Sequence, residues 1–264
     1  MTAATEIWSY RNLIYNLAQR ELRSRYKKSV LGWLWSLINP AAMLAIYTLV
    51  FGVFFNTEPP VAGNGTTESY GLYLFAGLVV WNFFSGTVNG SITALQTSGG
   101  LLNKVYFPPS APAIANMMTV VLQLLIESAI LAGIMIALGN VSISYLLFPV
   151  ILVFLAMFSL GFGLLVSVFN VFYRDVGYLV GIGMQVLFYA TPVIYPLSIV
   201  PDWALPVIRL NPLTQIVEWS RDAFYDLAWP SLGSFVGTAL ACIAMFVGGW
   251  FVFNIKARNI AEEL

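Results

Sequence analysis

The stretch SYLLFPVILVFLAMFSLGFGLLVSVF, residues 144–169, decides the fold. It runs for twenty-six residues without an Asp, Glu, Lys or Arg, and a helix needs only about twenty mostly apolar residues to cross the hydrocarbon core of a bilayer. Nor does it alternate apolar with polar residues, as the roughly ten-residue strands of an outer-membrane barrel do. Working outward, five further windows qualify or nearly so: 31–55, 70–95, 111–138, 176–194 and 232–255. The whole chain agrees. Its 264 residues are 59% hydrophobic and only 9% charged, where a soluble domain carries roughly a quarter of its residues charged, and the mean hydropathy is +0.81. The expected fold is an all-α integral membrane protein, with six spans in a single domain over 31–264. A soluble enzyme, a nucleic-acid binder and a disordered scaffold are excluded. With no histidine and a single cysteine, Cys242, histidine and cysteine metal clusters, Ser/His/Asp and Cys/His catalysis and an intrachain disulfide are excluded as well.

The first thirty residues are too long and polar for the leading segment of a cleaved signal peptide. Tyr10, Leu13, Ile14 and Leu17 fall at i, i+3, i+4 and i+7, with Arg11, Asn12, Asn16, Gln19, Arg20 and Arg23 on other faces. That spacing predicts an amphipathic helix. A soluble surface helix has the same pattern, but the neighbouring span and the basic run Arg20, Arg23, Arg25, Lys27, Lys28 favour a helix lying along the membrane surface. Of the chain's twelve basic residues, alternate counting puts ten on one side, among them Lys104, Arg174, Lys256 and Arg258, and only Arg209 and Arg221 on the other. Both termini are therefore expected in the cytoplasm.

The segment 191–230 is apolar enough to sit at membrane depth, yet Pro192, Pro196, Pro201, Pro206 and Pro212 forbid one continuous helix. Two short helices, about 203–209 and 213–225, separated by Asn211-Pro212, would satisfy the backbone. Irregular backbone at that depth is tolerated where it is buried in protein or lines a cavity, so the segment reads as a re-entrant outer gate or as an outer loop resting on the bilayer, the gate being favoured.

No Gly-Lys pair occurs in the chain, so it has no P-loop to hold nucleotide phosphates. ATP-driven transport would require the ATPase to be a separate chain. The connections SGGLLNKVYFPPSAP, with Lys104, Tyr106 and Phe107, and NVFYRDVGYL, with Arg174 and Asp175, carry the arginine and aromatic anchors that protein interfaces favour. They serve equally to fix topology and form an interfacial belt. Glu127, with Gln123 one turn before it, is the clear intramembrane acid. It reads either as a proton relay or as a protonated group hydrogen-bonded to a neighbouring helix. Most span aromatics are headgroup-level anchors. Sugar rings, however, pack their C–H faces on aromatic rings, and Phe188, Tyr189 and Tyr195, leading into the broken segment, are the expected pathway lining.

Taken in order, RELRSRYKKSVLGWLWSLINP into the first span, LLNKVYFP after the second, NVFYRDVGYL after the fourth, and ATPVIYP with LNPLTQIVEWSRDAF before the last closely resemble the permease subunits of ABC transporters that export polysaccharides and teichoic acids, the Wzm/TagG-like group. The resemblance covers essentially the whole chain. It implies a homodimer of six-span permeases with two copies of a separate P-loop ATPase, in a bacterial cytoplasmic membrane. A lipid-linked O-antigen, capsule, teichoic-acid or galactan-type polymer would pass between the first and fifth spans of the two protomers. ATP and Mg would sit on the ATPase and no cofactor on this chain. Carried onto these residues, Arg23, Arg25, Tyr26, Lys27 and Lys28 form the cytoplasmic entrance. Lys104, Tyr106, Phe107, Arg174 and Asp175 couple to the ATPase, and Trp35 joins Phe188, Tyr189 and Tyr195 along the channel. Trp203, Arg209, Asn211, Pro212, Glu218 and Arg221 belong to the outer gate. The PPS after Phe107 lacks the charged residue often found there. The rival readings are an ABC permease for a small lipophilic substrate and an ion-coupled carrier using Glu127.

Overall fold

The computed structural model describes residues 3–27, 29–55, 58, 60–102 and 106–257. Among the described residues there is no strand, and the β pairing is an isolated bridge between Val61 and Glu68. Two helices precede the membrane segment, α1 (Ala3–Ser9) and α2 (Arg11–Tyr26). The first span, Gly32–Phe54, opens with one 3-10 turn, continues as α3 (Trp35–Tyr47) and loosens into a π-helical stretch, Thr48–Phe54. Then follow α4 (Tyr70–Leu102), α5 (Ala111–Ala137), α6 (Phe148–Phe172) and α7 (Asp175–Ala190). The short outer helices α8 (Leu205–Leu210) and α9 (Pro212–Arg221) lead into the last helix, α10 (Leu232–Ala257).

Five of these segments are long and apolar enough to cross a membrane: Gly32–Phe54, α4, α5, Ile143–Phe172 and α10. The expected fifth window ends sooner than its hydropathy suggested. Its helix α7 has 16 residues, or about 24 Å at 1.5 Å per residue, short of the roughly 30 Å hydrocarbon core. The chain turns extended at Thr191, because a residue preceding proline is driven out of the helical region. Conversely, α4 runs seven residues past the expected end at Leu95.

In lipid the hydrophobic effect does not drive helices together, so close backbone approach and van der Waals packing must. Helix α4 is the centre of the bundle. It packs against α5, α6, α9 and the first span, and Leu74, Phe84 and Val88 on it are wholly buried. Helices α6 and α10 meet at Gly161 and Gly249, where a Cβ on Gly249 would overlap the Gly161 carbonyl. Nearer the start of both helices, Phe154 meets Trp219 and Phe235 edge-on while Trp219 and Phe235 stack, which ties α9 to α6 and α10.

By contrast, the first span has little cover inside the protomer: 6% of its most apolar window is buried. Its attachment depends on Pro40. Proline has no N–H, so the Ser36 carbonyl one turn earlier loses its helical donor, and Gln123 Nε2 of α5 donates to it instead at 3.2 Å. An unpaired carbonyl in hydrocarbon costs several kcal/mol, which makes this bond a polar fastening of the first span to the bundle.

Candidate functional site

Between the first span, α4 and α7 lies a cavity of about 850 Å³. Helix α7 supplies Phe188, Tyr189 and Gln185 because most of its side chains, Tyr178 and Ile182 among them, point away from the bundle while Met184 is buried. Of the aromatics expected on the pathway, Phe188 and Tyr189 line this cavity, Phe188 edge-on to Trp81 with ring centroids 5.1 Å apart. Trp35 and Tyr195 are not among its lining residues. Trp35 lies one turn before the lining residue Asn39, and the Tyr195 hydroxyl donates to the Tyr189 carbonyl at 2.8 Å.

Glu127 opens onto the same cavity from α5 and is 5% exposed. Gln123 Nε2 donates to its Oε1 at 3.1 Å and Asn82 Nδ2 to its Oε2 at 3.2 Å. Since Gln123 also reaches Ser36, one network joins the first span, α4 and α5 through the carboxyl group. Its hydrogen-bond partners are two amides, one of them on the neighbouring helix α4, and both carboxyl oxygens act as acceptors. Asn82, Asn89 and Gln185 on the cavity wall are not among the pathway residues that the sequence points to. Their signal was present there as neutral amides inside apolar windows.

At the end away from α2, the two short helices form near the expected places, with α9 continued by a π-helical turn, Asp222–Asp226. Asn211 divides them. Its extended backbone and its Oδ1, which accepts from Leu213 N at 3.0 Å, cap α9, while Pro212 takes the first helical position, where no amide is required. Arg221, counted in the sequence as an outer loop charge, is in fact fully buried. Its Nη1 bonds Glu218 Oε1 at 2.6 Å, its Nη2 donates to the Val193 carbonyl at 2.9 Å, and its guanidinium lies 4.0 Å from the Tyr73 ring centre. A buried guanidinium persists only when paired and hydrogen-bonded, so this one pins α9 to the Thr191 turn and to α4. Past it, Asn140 Nδ2 donates to the carbonyls of Phe224 and Tyr225, and Asn140 Oδ1 accepts from Asn64 N. Burial, together with Asp226 and Glu218 nearby, pushes the Asp222 carboxyl up to about 6. Trp203 and Arg209 remain exposed.

At the opposite end, Ile14 and Ala18 of α2 are buried against Phe107, Ala111 and Ala115. The apolar stripe read from the sequence thus packs on protein. Phe107, expected to contact an ATPase, is 2% exposed and belongs to this cluster; its size and apolarity suit it to a core. Tyr106 is the exposed neighbour, its hydroxyl donating to Glu6 Oε1 at 3.0 Å. Arg174 caps α7 and Asp175 sits in its first turn, where a carboxylate favours the helix dipole; both are exposed. Arg23 and Lys27 are exposed, and Arg25 and Tyr26 lie in α2. Lys28 and Lys104 fall outside the described residues.

A broken outer helix pair over a bundle of apolar helices, with an amphipathic helix across its other end, is the arrangement of a multi-pass membrane transporter subunit. Residues 12–225 match the ABC-2 type transporter family, and the chain belongs to that family. It is 28% identical to the O-antigen export system permease protein RfbA of Myxococcus xanthus, with 98% of each chain covered. It is also 28% identical to the protein of that name in Klebsiella pneumoniae over 81% of each chain. To the polysialic acid transport protein KpsM of Escherichia coli it is 27% identical, over 92% of this chain and 91% of that one.

Proposed function

We propose that two copies of this chain, with two copies of a separate P-loop ATPase carrying ATP and Mg, export a lipid-linked polysaccharide across a bacterial cytoplasmic membrane. Both termini lie on the cytoplasmic side. The observation that carries this reading is near full-length similarity to permeases named for O-antigen and polysialic acid, in a chain whose 850 Å³ cavity mixes aromatic rings with neutral amides. Aromatic faces and amides suit sugars, and conduction requires sites weak enough to release what they bind.

The uncovered apolar faces of the first span and α7, including Leu37, Ile46, Leu179 and Val186, support a second protomer closing the cavity into a channel. A domain unit 1–30 then acts as an entrance helix, its exposed Arg23 and Lys27 attracting the phosphate of the lipid carrier. Each such charge contributes about 1 kcal/mol near an anionic surface. Because Phe107, Ile14 and Ala18 share one apolar cluster, a push from the ATPase on the segment at Tyr106 moves α2 with it and opens the mouth. The pair of outer helices forms the exit gate.

The test is to delete the gene, restore it in wild-type form or as Arg23→Ala/Arg25→Ala/Lys27→Ala, and quantify surface glycan together with the subunits that co-purify under mild extraction. Loss of surface glycan on deletion, a 2:2 assembly with an ATPase, and impaired export by the triple variant in an intact assembly are expected. Unchanged surface glycan in the deletion strain would refute the function. ATP hydrolysis stimulated by lipophilic drugs and not by glycan-loaded lipid would replace the polymer with a small substrate.

A further inference from the structure

A second cavity, of about 560 Å³, lies between α2 and the cytoplasmic half of α4, and Asn89 lines both this cavity and the larger one. The two adjoin along one helix face. Asn82, Asn89, Thr93 and Thr97 recur on α4 at intervals of seven, four and four residues, which keeps them on one side of a helix, and all four are exposed although most of α4 is buried. They extend over about 22 Å at 1.5 Å per residue. Exposed polar groups on a membrane-spanning helix face a partner or a water-filled cavity, since lipid cannot satisfy them.

The chemistry of this face is specific. Thr93 Oγ1 donates to the Asn89 carbonyl at 3.1 Å and Thr97 Oγ1 to the Thr93 carbonyl at 2.9 Å. Each hydroxyl has therefore spent its single proton on its own helix and presents lone pairs outward, whereas the Asn89 amide both donates and accepts. Asn116 of α5 faces the same space, with one amide proton given to the Gly86 carbonyl at 3.3 Å. Thr93 and Thr97 thus offer acceptors and Asn89 offers both a donor and an acceptor, and none of the four side chains is charged. The ionisable groups beside it are Arg20 and Glu21 at the α2 mouth and Glu127 at the far end, where it accepts from Asn82.

We propose that this face of α4 is a sugar-contacting track, over which neutral, hydroxyl-rich stretches of the glycan pass from the α2 mouth to the aromatic cavity. The proposal rests on the polysaccharide-export reading and names the residues of its loading path. Sugar hydroxyls donate and accept at every ring, so they exchange hydrogen bonds with successive Asn and Thr groups. Without a fixed charge on the track, no single position holds the chain.

The test uses the permease with its ATPase in cells. Asn89→Leu/Thr93→Val/Thr97→Val should lower surface glycan by about tenfold or more, the loss of several weak hydrogen bonds, with membrane abundance and ATPase co-purification unchanged. Thr93→Ser/Thr97→Ser, which keeps the hydroxyls, should export normally. Cysteines placed singly at 89, 93 and 97 in a Cys242→Ser background should react with a membrane-impermeant methanethiosulfonate applied from the cytoplasmic side, whereas Leu240→Cys on the exposed face of α10 should not. If the apolar triple variant is poorly made, the thiol reaction decides: protection at all three positions overturns the track. Full labelling with normal export by the triple variant makes the face a water-filled crevice and overturns it too. Surface glycan that does not depend on the wild-type gene would sink the export reading itself; glycan exported equally by wild type and the apolar variant sinks only the track.

Discussion

Replacing Arg221 by methionine should release the outer helix pair while leaving the spans in place. Methionine keeps most of the buried volume but loses the charge-assisted bond to the Val193 carbonyl, which contributes about 1.5–3 kcal/mol. The stacking on Tyr73 adds about 2 kcal/mol at a desolvated site. Against these losses stands the relieved desolvation of the guanidinium, and Glu218, whose side chain is 28% exposed, regains water when its partner is gone. The balance is about 3 kcal/mol of local stability. At 1.4 kcal/mol per tenfold, the opening equilibrium of the 193–225 segment rises roughly a hundredfold. Hydrogen exchange on the protein in nanodiscs reads this directly, as faster exchange of amides in α9 with little change in α5 and α6. Glu218→Gln keeps an acceptor for Nη1 but leaves the buried guanidinium without its counter-charge, so it should speed exchange in α9 as well. Equal α9 protection in wild type and Arg221→Met would refute the argument that this arginine fastens the segment.

Asp222 has its native carboxyl pushed up to about 6 from an ordinary 3.8, so the folded segment binds its proton more tightly than the unfolded one. Its ionisation is unfavourable in the fold. Stability of the outer segment should be greatest below pH 4 with respect to this group and fall as pH rises through about 6; Asp222→Asn should flatten that dependence in pH-resolved proteolysis of the 190–230 region. Gly249→Leu inserts a side chain where a Cβ already overlaps Gly161; overpacking of about 1–3 kcal/mol or more should lower membrane abundance, and wild-type abundance would contradict the close α6–α10 contact. Gln123→Leu strands the Ser36 carbonyl beside Pro40, at about 1–3 kcal/mol. The first span should then exchange faster, and Pro40→Ala, which restores the helical donor, should rescue it. Ile14→Glu places a charge in the α2–α5 contact and should expose α2 to protease without loss of the spans.

The apolar windows, the amphipathic stripe on α2 and the Asn211-Pro212 break were all legible in the sequence, because each follows from local chemistry. Bilayer thickness fixes span length, helical spacing places an apolar stripe, and proline removes a donor. Those same rules set the all-helical membrane fold and the two short outer helices within a few residues. The candidate site residues were legible only in part. The aromatic windows place Phe188 and Tyr189 on a cavity wall, whereas Phe107 lies in an apolar cluster with α2 that spacing in the loop does not announce.

What the sequence by itself determined was which segments are apolar enough to enter the membrane and where they break. Tertiary structure alone decided which polar groups meet. Arg221 lies over Tyr73, which is 148 positions earlier, Gln123 answers a carbonyl 87 positions away, and Asn89 lines two cavities. The reason is physical. Within a bilayer every helix is apolar for the same solvent reason, so hydropathy cannot order the faces. That ordering comes from close backbone approach and from the pairing of a few buried polar groups, each of which depends on residues far away in the chain.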